Sequence, residues 1–83
     1  MSVNIEEYKK IQGEILKLLF DNAKLTTFNE ISALTKKPKS ETEYHLDVLK
    51  GQGLIQNKLS VGGGVVTRGF EITAGGRKTI MEK

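Results

Sequence analysis

The sequence predicts an α+β fold: a three-helix core, a two-stranded β-hairpin and a short C-terminal helix. Three observations carry this. Apolar residues recur at three- and four-residue steps through the first half. Capping-box patterns at Thr27-Phe28-Asn29-Glu30 and Ser40-Glu41-Thr42-Glu43 mark two further helix starts. Residues 55–73 alternate apolar and polar side chains about a glycine-rich centre, VGGGVV.

The first helix is expected over 4–21, with Ile5, Tyr8, Ile11, Ile15, Leu18 and Leu19 on one stripe and Lys9, Lys10, Glu14 and Lys17 opposite. Gly13 inside it costs about 1 kcal/mol against alanine and leaves room for another helix to approach. In a second helix, 28–35, Phe28, Ile31 and Leu34 follow at helical spacing, with Thr26 before it as a stub of strand. Pro38 then breaks the chain by disfavouring helix at Lys37.

The third helix is expected over 41–51, with Ser40 as its N-cap and Thr42, Leu46 and Leu49 as its buried row. Gly53 is placed as a left-handed C′ residue, and Leu54 beyond it meets Leu49, as a Schellman cap requires. Setting Val61 opposite Val66 across a four-residue loop, 62–65, puts Leu59 opposite Arg68, Asn57 opposite Phe70 and Ile55 opposite Ile72. One ribbon face then gathers Ile55, Leu59, Val61, Val66, Phe70 and Ile72, with its base on the core and its tip projecting. Thr73 caps a last helix, 74–82, with Ile80 inward.

Composition narrows the function classes. The chain of 83 residues predicts one domain, 1–83, near the lower limit for a self-sufficient core. Cysteine is absent, which excludes disulfides, thiolate metal sites and a cysteine nucleophile; a single histidine excludes a histidine-cluster metal site. GGG lacks the context of a phosphate-binding loop, so no cofactor and no enzyme are expected. No apolar run reaches the ~18 residues of a membrane span and the opening MSVNIEEYKK lacks a signal-peptide core, so the expectation is a cytoplasmic, prokaryotic protein. The net charge of +3 is uneven: residues 1–35 carry −1 and residues 36–83 carry +4, densest at Lys36-Lys37-Pro38-Lys39.

Two helices joined by a short turn and followed at once by a hairpin make a winged helix-turn-helix. In that arrangement the later helix enters the DNA major groove and the wing lies along the backbone or minor groove. The residues also resemble a family. His45-Leu46-Asp47-Val48-Leu49-Lys50-Gly51-Gln52-Gly53-Leu54-Ile55 follows H-L-x-x-L-x-x-x-G-L-[IV]. Phe70-Glu71-Ile72-Thr73-Ala74-Gly75-Gly76-Arg77 follows [YF]-x-[LI]-T-x-x-G-R. Both look like the single-domain winged-helix transcriptional regulators of the MarR/ArsR/PadR type, over about residues 10–82. The resemblance implies a dimeric, promoter-binding repressor or activator. The metal-sensing subset is excluded because its cysteine and histidine ligands are absent. A homodimer would use helix 4–21, since the long C-terminal helix of the usual contact is missing.

The expected activity is therefore sequence-specific binding of double-stranded DNA by helix 41–51 and hairpin 55–73. The alternative is a winged helix that binds protein instead, favoured by the acidic third helix. The candidate DNA contacts each carry a blander reading. Lys37 and Lys39 are phosphate contacts or solvated charges. Ser40 is a cap or meets a phosphate; Glu43 closes the capping box and Glu41 complements the helix dipole, or either accepts from cytosine N4. Tyr44 contacts DNA or packs on a neighbouring helix. His45 is a half-buried structural histidine or a phosphate contact. Lys58 and Arg68 are the wing candidates.

Overall fold

The computed structural model describes residues 5–22 and 25–82. Helices α1 (Ile5–Asp21), α2 (Phe28–Thr35) and α3 (Lys39–Gly51) are followed by strands β1 (Ile55–Gly62) and β2 (Val65–Ile72) and by helix α4 (Ala74–Met81). This is the α+β winged helix-turn-helix that the sequence predicts. Residue 4, at the expected start of α1, lies outside the described residues.

Ile11, Ile15, Leu16 and Leu19 of α1 form the centre of the core with Ile31 of α2, Leu46 and Leu49 of α3, and Ile55 and Ile72 at the hairpin base. The α1 stripe is rotated slightly from expectation. Leu16 is buried, Tyr8 and Leu18 are half-buried, and Ile5 is exposed. A Cβ at Gly13 would meet nothing within 4 Å, so among the described residues no element uses the approach it permits.

Helix α2 starts as expected. The Thr27 hydroxyl accepts from the Glu30 amide at 3.3 Å. It ends at Lys36, whose φ of 56° is the positive φ among the described non-glycine residues and whose N–H reaches the Ser32 carbonyl.

Helix α3 begins earlier than expected, and Ser40 is not its cap. Pro38 occupies that position with φ −55° and ψ 152°, with no side-chain cap hydrogen bond. Its carbonyl accepts from the amides of Glu41 and Thr42 at 3.0 Å each. A proline restrains the residue before it and leaves those after it free to turn into helix, so the break at Lys37 doubles as the start of α3. The other end follows expectation. Gly53 has φ 75°, the Leu54 N–H reaches the Leu49 carbonyl at 3.1 Å, and the Gly53 N–H reaches Lys50 at 3.0 Å. Those two bonds are the Schellman pair.

The hairpin keeps the predicted register, Ile55↔Ile72 through Val61↔Val66, and adds the pair Gly62↔Val65. Its loop is therefore two residues, Gly63 and Gly64 at φ 58° and 78°, not four. Two positive φ angles suit a type I′ turn, whose twist matches that of the strands. The two loop lengths share one parity, so side-chain alternation cannot separate them.

The predicted apolar face does not pack along its length. Ile55 and Ile72 are buried and Phe70 is half-buried, while Leu59, Val61 and Val66 stand in solvent. Thr26 is the expected stub of strand. It forms a bridge with Phe70 through two backbone hydrogen bonds of 3.0 and 2.8 Å. Gly69 lies against this bridge, where a Cβ would sit 2.5 Å from the Thr26 carbonyl.

Thr73 caps α4 by accepting from the Gly76 amide at 3.1 Å. Its own hydroxyl donates to the Gly53 carbonyl and its N–H to Leu54. Gly76 is buried against the Leu54 carbonyl with no room for a side chain. The two family-like motifs thus fold onto each other.

Candidate nucleic-acid interface

The α2–α3 turn is held from inside. The hydroxyls of Thr35 and Thr42 lie 3.2 Å apart in the interior, and the Lys37 amide donates to Thr35 Oγ1 at 3.4 Å. Thr42 is fully buried beneath the first turn of α3. This stitching leaves Lys36, Lys37 and Lys39 around the N-terminal end of the helix. Lys36 and Lys39 are exposed. Lys37 is half-exposed and pairs with Glu7 of α1 at 3.3 Å.

Along α3 the buried arc is Thr42, His45, Leu46 and Leu49. The opposite arc, Ser40, Glu43, Tyr44 and Asp47, is exposed. These positions follow i, i+3, i+4, i+7, one continuous helical face. Glu41 is half-exposed at its side.

His45 does not belong to that face. It is 0% exposed. It lies three residues after Thr42 and four before Leu49, so helical geometry puts it in their arc. The Gln12 amide donates to its Nδ1 at 3.1 Å, which leaves the ring proton on a buried Nε2 that has no partner. The Tyr8 ring meets it edge-on, with centroids 4.8 Å apart. Burial is the main reason its pKa falls below the ordinary 6.5; Glu41 nearby opposes the shift and Lys37 adds to it. His45 is thus a neutral strut between α1 and α3 and cannot reach a phosphate. Tyr44, half in solvent, leans on the same pair of rings, 5.8 Å from Tyr8 and 5.5 Å from His45. Of the two readings weighed for Tyr44 the packing one is met on α1, and the ring still presents an edge outward.

On the wing, Lys58 lies 3.9 Å from Glu71, which also accepts from Gln56. Arg68 is exposed, with no ion pair among the described residues. It stands opposite Leu59, on the ribbon face that also carries Val61 and Val66. Between this face and the start of α2 runs an open groove of about 450 Å³, lined by Phe28, Leu59, Arg68 and Phe70 among others. A smaller one of about 270 Å³ continues past Phe28 and Phe70 to Glu43 and Asp47 of α3. Among the described residues there is no cluster of histidine, aspartate and glutamate that would hold a metal, and no helix long and apolar enough to cross a membrane.

Sequence reasoning did not single out Lys36, which is exposed beside the turn, although its place in the lysine cluster was visible. It also passed over the exposed arc of α3 as a unit, which the spacing of Ser40, Glu43, Tyr44 and Asp47 would have revealed.

Known proteins agree with this geometry. The fold is shared with TA0346 of Thermoplasma acidophilum, at 21% identity and a TM-score of 0.72 over 98% of this chain and 81% of that one. A mutant of MepR from a multidrug-resistant S. aureus clinical isolate gives 18% identity and a TM-score of 0.76 over 94% of this chain; the matched region is 58% of MepR. Stf76 from the Sulfolobus islandicus plasmid-virus pSSVx gives 17% identity and 0.57, over 87% of this chain and 94% of its own. No curated protein sequence matches the chain. The sequence profile described as "Bacterial regulatory protein, arsR family" matches residues 10–57, from α1 through α3 to the start of β1. That span is more than half of the chain, and the protein belongs to the arsR family of bacterial regulatory proteins.

Proposed function

We propose that this protein is a small cytoplasmic transcriptional regulator that binds double-stranded DNA in a sequence-specific manner, with α3 in the major groove and the β1–β2 wing beside it. The observation that carries this reading is the uncovered arc Ser40–Glu43–Tyr44–Asp47, with Lys36 and Lys39 at the end of the helix that would meet the backbone. Lys39, Lys36 and Ser40 would position the domain on phosphates; Glu43, Tyr44 and Asp47 would face base edges; and Arg68 would extend the contact from the wing. Lys37 joins only by exchanging its bond to Glu7, and Lys58 only by leaving Glu71.

Fluorescence anisotropy on a mixed-sequence duplex, titrated across salt, tests the reading. Binding that weakens with salt is expected. The slope should fall by roughly 2 when Lys36 and Lys39 are both replaced by alanine, about one unit for each phosphate no longer neutralised. Absence of binding at low salt would overturn it.

A protein-binding role is the second reading. The exposed Leu59, Val61, Val65 and Val66 favour it, since a wing that meets only phosphates has no use for four aliphatic side chains.

We also propose a homodimer through α1. A groove of about 420 Å³ between α1 and α4 is lined by Gly13, Phe20 and Ile80 among others, with lysines and acids of both signs on its rim. Sedimentation equilibrium would report a mass twice that of the chain, and Phe20→Glu would return it to one.

A further inference from the structure

We infer that Glu43 is the base-reading residue of α3 and that it selects cytosine; the inference rests on the DNA-binding reading above. Four side chains occupy the exposed arc, and three are constrained. Asp47 is held by Lys50 at 3.3 Å. Tyr44 leans on Tyr8. Ser40 is short and sits in the first turn. Glu43 is exposed and long, and has no hydrogen bond or ion pair among the described residues. It also lies three residues past Ser40, in the N-terminal half of α3, from which a recognition helix reaches base edges.

The chemistry of the carboxylate narrows what it reads. An ionised carboxylate only accepts hydrogen bonds. The major groove offers it two donors, the N4 amino group of cytosine and the N6 amino group of adenine. Adenine places the N7 acceptor beside N6, where it repels a carboxylate. Guanine and thymine present acceptors at the matching edge. Cytosine N4 is flanked on its own ring by C5–H, so the guanine O6 of its pair is its one neighbouring acceptor, whereas adenine N6 lies between N7 and thymine O4. Against phosphates the same carboxylate weakens binding to every duplex alike, so a base that donates to it is the partner that restores affinity.

Glutamine is nearly the same shape as glutamate but carries a donor as well as an acceptor, the pair that adenine N7 and N6 complement. Selection from a randomised duplex pool, with wild type and Glu43→Gln in parallel, tests the inference. Wild type should enrich cytosine at one position of each site by about tenfold over other bases. Glu43→Gln should replace that cytosine with adenine and leave the other positions unchanged. Glu43 is exposed and unpartnered, so the variant should keep the wild-type circular dichroism and melting curve. If both pools agree at every position, or the variant only binds all duplexes more tightly, Glu43 does not read a base and the inference is overturned while DNA binding stands. If wild type retains no duplex at all, the DNA-binding reading falls as well.

Discussion

The two ends of the hairpin carry matching apolar rungs in opposite surroundings. At the base Ile55 faces Ile72, and the two are 2% and 6% exposed. At the tip Val61 faces Val66, and they are 73% and 56% exposed. The base has α1, α3 and α4 packed around it and a bridge from Thr26 clamped to β2. The described residues put nothing over the tip. Full burial of an aliphatic side chain is worth about 1.5–3 kcal/mol, and only the base collects it. Alternation along a strand therefore reports which residues share a face. Whether the face is covered depends on which other elements reach it, and the described helices reach only the base of the ribbon.

That contrast is open to attack by mutation. Ile72→Ala at the base should cost about 2–5 kcal/mol in urea unfolding, since it opens a cavity among Ile15, Leu49 and their neighbours in the core. Gly76→Ala, also at the base, should cost up to about 3 kcal/mol, because a Cβ there overlaps the Leu54 carbonyl. At the tip, Gly63→Ala should cost about 1 kcal/mol through its positive φ alone, since the space around it is open. Val66→Ala should stay within about 0.5 kcal/mol. A destabilisation by Val66→Ala comparable to that of Ile72→Ala would mean that the tip is covered in solution and would break the comparison.

A pH measurement sharpens the same division from the α1–α3 side. His45 has its folded-state pKa below 6.5, chiefly through burial. The unfolded chain then binds more protons just below 6.5, so stability is full above that value and declines as pH falls toward the folded pKa. Urea midpoints at pH 7.5 and 5.5 should differ for wild type and converge for His45→Gln. Equal midpoints for wild type would show that the ring is hydrated rather than buried. The wing variants should leave this pH slope untouched.

Where the sequence was legible, local chemistry decided the structure. Thr27, Gly53 and Thr73 act within a turn of their own positions, and each does what its type and spacing imply. The two family-like motifs add contacts between distant positions. Leu46, Leu49, Leu54 and Ile55 pack, Gly53 turns the chain, and Gly76 makes room for Leu54, so the motifs describe how the domain closes rather than what it recognises. Ser40 misled because a capping-box pattern carries no information about the proline two residues earlier. At His45 the structural reading prevails over the phosphate contact, and the burial is complete rather than half, because a polar residue beside an apolar row can be drawn in when another helix supplies a partner, here Gln12, 33 positions away. The Lys37–Glu7 pair was hidden for the same reason. The candidate site was thus legible in which element carries it, and less so in which of that element's side chains remain free.

The Thr26–Phe70 bridge has a consequence for the order of folding. Its two hydrogen bonds join positions 44 residues apart, and the loop they close contains α2, α3 and the whole of β1. Local helix turns and the I′ hairpin form on microsecond timescales, while a pairing this distant must wait until most of the loop between its ends has condensed. The amides of residues 26 and 70 should then be among the last to gain protection from solvent exchange during refolding. They would serve as a clock for completion of the domain, marking the moment at which the wing is joined to the helices.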